Sequence, residues 1–182
     1  MDTGELLTRW TVRLALALYA LGLVLRWSAR GRRSRLAAAR LAWSAGCLAF
    51  LLHVLYAFQF YHHWSHADAY AVTAQRTAAV VGWDWGGGVY ANYAFAVVWL
   101  ADVVWWWRGL TSYAARPRSV EWSVQAFLAF MVFNAAVVFA EGVTRWVSLI
   151  VCLVLLTFRG WLALRSPTLR PLDADGQQQR RT

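Results

Sequence analysis

The sequence predicts an all-α membrane protein: a five-transmembrane-helix bundle with one interfacial amphipathic helix in the outer 62–88 loop. Three observations carry that reading. Hydrophobic residues make up 60% of the 182-residue chain and charged residues only 15%, against roughly 45–50% and about 25% in soluble domains. Thirteen residues are tryptophan, which with tyrosine gathers at the two membrane interfaces. Five segments approach the ~20 mostly apolar residues that a helical span requires. Residues 1–165 are expected to form a single integral membrane domain, with 166–182 a disordered cytoplasmic tail.

The first span, about 6–27, has the clean core LALALYALGLVL between Arg13 and Arg26. That core alone is short, so Arg9 and Arg13 must snorkel outward. The second, about 36–61, contains RLAWSAGCLAFLLHVLYAFQFY; the third, 89–107, reads VYANYAFAVVWLADVVWWW. The fourth, 122–140, is WSVQAFLAFMVFNAAVVFA, and the break EGVTR separates it from the fifth, 146–164. Acidic residues Asp2 and Glu5 at the N-terminus, without a basic start or a small-residue cleavage site, do not read as a signal peptide.

All eighteen basic residues are arginine, giving a net charge of +9. They sit between apolar runs and form no recognition helix, which sets nucleic acid aside as a partner. Arg30, Arg32, Arg33, Arg35 and Arg40 join spans one and two; Arg108, Arg116 and Arg118, with Pro117 breaking the chain, join three and four. Arg165, Arg170, Arg180 and Arg181 follow span five, while the alternate loops hold only Arg76 and Arg145. Excess arginine on one side places the N-terminus outside and the C-terminus in the cytoplasm of a bacterial-type inner or plasma membrane. Anionic lipid headgroups at the cytoplasmic face are then natural partners.

In the 62–88 loop, Ser65 followed by Asp68 resembles a capping box. A helix over 66–81 should follow and stop at Gly82. Tyr70, Thr73, Thr77 and Val81 then share a face, and Trp64, Trp83 and Trp85 flank a helix lying flat on the membrane. Gly86, Gly87 and Gly88 permit close approach of another chain segment or a ligand.

All four histidines fall between His53 and His66, where an apolar run meets this loop. If the second helix continues past Tyr61, His62 and His66 are i and i+4, and His63 and His66 are i and i+3. Imidazoles so spaced suit a transition metal (zinc, copper or iron), with Asp68 or Asp84 adding a carboxylate. Ser65 as a helix cap would break that geometry, and the plainer reading is interfacial histidines bonded to backbone or headgroups. His53 lies about 12 Å below the outer end of its span. A neutral imidazole hydrogen-bonded across helices is expected there. Haem is the less favoured cofactor, since no other span supplies a histidine and only a homodimer could pair two copies of His53.

Asp102 stands six residues before Arg108, and Arg159 six before Arg165. At matched depth the two should form an ion pair. Asn134, Gln125 and Gln59 should add polar contacts between helices. WWWRG reads as an interfacial belt, and Cys47 and Cys152 as small buried hydrophobes. GWDWGGG lacks the strand, helix and spacing of a phosphate loop. No HExxH motif and no histidine boxes on several spans point to a zinc protease or a di-iron oxygenase.

The leading expectation is a small membrane subunit that binds a metal or redox cofactor at the outer histidines within a larger assembly. The alternative is a non-catalytic scaffold or assembly partner without cofactor, as a homo-oligomer or in a larger membrane complex. A third reading is a proton-coupled transporter with Asp102 and His53 on the path.

Overall fold

A computed structural model describes residues 3–165; the tail 166–182, expected to be disordered, lies outside the described residues. The described chain is all-helical, and five of its helices are long and apolar enough to cross a membrane. α1 covers Thr3–Trp27, α2 Arg33–Phe60, α3 His66–Val81 and α4 Gly88–Arg108. The short α5, Leu110–Ala114, and α6, Arg118–Phe133, follow; α6 runs into a π-helical turn, Asn134–Val138, before α7, Gly142–Leu164. Neither α5 nor the π-turn was expected.

Local chemistry explains the boundaries. Arg9 and Glu5 pair at 2.6 Å across one turn of α1. Ser65 caps α3, its hydroxyl accepting from the Asp68 amide at 3.2 Å, and Gly82 ends the helix in the left-handed region at φ 76°. Pro117 occupies the N-cap of α6, where its missing N–H costs nothing. Asn134 turns its amide back onto the Phe130 carbonyl at 2.8 Å. Its side-chain hydrogen bond therefore falls within its own helix, where one between helices was expected. Gln59 likewise accepts locally, from the Trp64 indole.

α1 and α2 pair along their length, and α4 packs on α2 and α6. At the centre is an aromatic chain: Tyr19 to Trp43 at 5.0 Å, Trp43 to Trp99 at 5.5 Å and Trp99 to Phe95 at 5.3 Å between ring centroids. Gly46 lets the Trp99 ring approach α2, since a β-carbon there would lie 3.1 Å from it. α3 buries Ala69, Ala74 and Thr77 and leaves Tyr70 and Val81 exposed. Its inner face is therefore the small-residue side, and the face expected from Tyr70 to Val81 is split. The bundle has two polar ends, one rich in histidine and one in arginine.

Candidate functional site

At the histidine end, α2 stops at Phe60. His63 and Trp64 take positive φ, 44° and 60°, so the chain reverses before Ser65 begins α3. This break removes the helical face on which His62 and His66 would have been neighbours. His62 Nδ1 instead meets the Asp68 carboxylate at 2.9 Å. His66 is held from both sides, Nδ1 to the Tyr93 hydroxyl at 3.0 Å and Nε2 to the Tyr90 hydroxyl at 3.3 Å. His63 and Asp84 are exposed. Among the described residues no group of three or more His, Cys, Asp or Glu comes together to hold a metal. The loop is fastened by His62 to Asp68 within it and by His66 to two tyrosines of α4, and Gly86 packs against Tyr70, where a β-carbon would lie 2.4 Å from the carbonyl oxygen.

His53 is half-buried, and its Nδ1 lies 2.9 Å from the Thr8 carbonyl of α1. That contact joins two helices through a backbone acceptor. His53 stands ten residues from Trp43 on α2, about 15 Å along the helix, far from the charged groups at the arginine end.

The arginine end holds the denser arrangement. Asp102, only 3% exposed, accepts from the Trp43 indole at 2.9 Å and from the Tyr113 hydroxyl at 3.1 Å. Arg116 Nη1 donates to it at 2.5 Å. The partner expected from matched depth, Arg159, is elsewhere: its guanidinium is 5.9 Å from the Trp27 ring. The reason is the turn after α4. Gly109, with φ 157° and ψ 140°, breaks the helix, and α5 folds back so that Tyr113 stacks on Trp106 at 4.8 Å. Arg116 then lies over the Tyr113 ring at 4.0 Å with a side chain 1% exposed. Trp106 is buried at 2%, so one of the three belt tryptophans serves as core.

The network extends to Arg26, which donates to the Tyr113 hydroxyl at 3.2 Å and pairs with Glu121. Glu121 also lies 3.7 Å from Arg116 Nη2. Two guanidinium and two carboxylate groups thus balance. Burial, ahead of the neighbouring charges, pushes the Tyr113 hydroxyl well above the ordinary tyrosine range, so it stays a protonated donor. Burial alone would lower the Arg116 guanidinium, but Tyr113, Asp102 and Glu121 together raise it. Arg116 Nε and Nη2 are buried without hydrogen-bond partners, and Glu121 is the acceptor nearest to closing that gap. No spacing in the sequence ties position 102 to 116.

No protein-family model, curated protein or solved structure matches the chain.

Proposed function

We propose that the chain is a small integral membrane protein working as an assembly partner, docked along α7 against a spanning helix of another membrane protein. The observation that carries this reading is the state of α7. Its apolar window is 6% buried, against 11% for the Arg118–Val138 segment and 22% to 28% for α1, α2 and α4. Lipid alone could cover such a face, but Arg159 stands exposed within it. A guanidinium inside a span is costly and is normally paired or turned to the bundle interior. Among the described residues no carboxylate reaches it, and the Trp27 ring is at the edge of cation–π range. The complementary group is a carboxylate on the partner helix, about 9 Å from the arginine end. A second copy is a poor source, because Asp102 is committed to Arg116.

The test is a photo-crosslinking residue at Leu156, which is 69% exposed on α7, followed by identification of the captured peptide. A spanning segment bearing Asp or Glu, lost in Arg159→Leu and kept in Arg159→Lys, is the expected outcome. Crosslinks to lipid alone in both backgrounds would reject it.

A second reading retains a transition metal at His62 and Asp68, favoured by their direct contact, since carboxylates commonly orient ligating imidazoles. Metal analysis of detergent-purified protein decides it: near one equivalent, lost in His62→Ala and kept in His66→Ala, supports the site. Metal-free protein, still lacking metal after zinc, copper or iron is supplied, sinks it. The proton-path reading fares less well, with Asp102 saturated by three donors and His53 engaged with a backbone carbonyl at the other end.

A further inference from the structure

The structure assigns a binding cleft for a small apolar α-amino acid, between α3 and the turn that leads into α7. This inference is independent of docking at Arg159 and of any metal at His62. Arg76, Ala79 and Val80 stand at i, i+3 and i+4 on α3 and so share one face. Phe139 and Glu141 form the other wall, and the space enclosed measures about 260 Å³. One wall therefore carries a cation and the other an anion.

The two charges face the cleft without pairing. Neither Arg76 nor Glu141 makes a side-chain hydrogen bond or ion pair among the described residues. Glu141 occupies the N-cap of α7, yet its side chain does not cap the helix. Arg145, the other arginine of this region, is already engaged. Its Nε donates to the Ala140 carbonyl at 2.8 Å and its Nη2 to the Val138 carbonyl at 3.2 Å. The Phe139 amide also donates to the Asn134 carbonyl at 2.9 Å. These bonds fix the turn that presents Phe139 and Glu141, and π-helical turns of this kind cluster at functional sites.

The walls select the occupant. A simple ion answers one charge and leaves the other unmet. A zwitterion answers both, its carboxylate taking the Arg76 fork and its ammonium the Glu141 carboxylate. A cavity of about 150 Å³ holds a benzene ring, so 260 Å³ accommodates roughly ten non-hydrogen atoms, the size of leucine. Val80 and Phe139, 44% and 38% exposed, offer apolar surface for a branched side chain to cover. An aminophospholipid headgroup carries the same two charges, phosphate and ammonium, but has no branched apolar group for that wall.

Equilibrium dialysis of radiolabelled leucine against the full-length, detergent-purified protein tests the assignment. Saturable binding near one equivalent is expected. N-acetylleucine, which lacks the ammonium, and leucinamide, which lacks the carboxylate, should each compete about tenfold more weakly. Arg76→Gln should bind leucine no better than leucinamide, and Glu141→Gln should bind it no better than N-acetylleucine. Both positions are exposed, so each variant should keep its fold. Absence of saturable binding at millimolar leucine would overturn the inference. So would binding that both variants retain in full, or that both analogues match. Phosphoethanolamine competing about tenfold better than leucine would also overturn it, and give the cleft to a lipid headgroup.

Discussion

Asp102 illustrates how one carboxylate can organise three elements. It is buried, and its acceptor capacity is met by Trp43 from α2, Tyr113 from α5 and Arg116 beyond it. Removing one member of a buried pair leaves an uncompensated charge, at a cost of about 3–5 kcal/mol. Asp102→Asn and Arg116→Gln should each lower the unfolding midpoint strongly. Their double variant should be less damaged than the sum, with a coupling of roughly 1–3 kcal/mol in a detergent unfolding cycle. Pairing Asp102→Asn with Arg159→Gln should be additive within ~0.5 kcal/mol; the reverse pattern would restore the pairing by matched depth. The sequence made the need for a partner legible, because a carboxylate in an apolar run demands one. Which arginine answers was not legible, since the choice depends on the break at Gly109 and the stack of Tyr113 on Trp106. The histidines fail the same way: spacing along one helix assumes the helix continues, and positive φ at His63 and Trp64 ends it.

Elements with strong local punctuation were the readable ones. α3 runs His66–Val81 between a serine cap and a left-handed glycine, as the capping box and Gly82 predict. Its seat on the bundle was only half readable: three successive glycines signalled close approach but not what approached. Gly86 and Gly82 now separate into different requirements. At Gly82 a β-carbon meets nothing within 4 Å, and the left-handed backbone sets the preference; at Gly86 it would strike the Tyr70 carbonyl. Gly82→Ala should therefore cost about 1 kcal/mol, through conformation alone. Gly86→Ala should cost more, in the 1–3 kcal/mol of an overpacked site, and should expose the 62–88 segment to protease first. Equal sensitivity of the two variants would refute the close packing of Gly86. The π-turn left no such mark, because Asn134 in an apolar run is equally compatible with a bond to a neighbouring helix.

For the whole molecule, the five long apolar helices and the arginine distribution make one joint statement about orientation. Arg30, Arg32, Arg33 and Arg35 lie around the α1–α2 turn, and Arg108, Arg116 and Arg118 around α5, so both groups share one end of the bundle. The histidine loop is at the other. A basic segment resists translocation, so the arginine end should face the cytoplasm and the 62–88 loop the outside. Engagement of the partly buried Arg26 and the buried Arg116 in the Asp102 network removes two guanidinium groups from that exposed count without changing its sign, since Arg30, Arg32, Arg33 and Arg35 remain exposed. Single cysteines at Asp84 and Ser34, both exposed, report the two ends against a background of Cys47→Ser and Cys152→Ser. In intact cells a membrane-impermeant maleimide should label the cysteine at 84 and spare the one at 34 until the membrane is opened. The opposite pattern would invert the bundle and put α3 and its histidines in the cytoplasm. Labelling of both positions would mean a mixed population, in which arginine content does not determine topology.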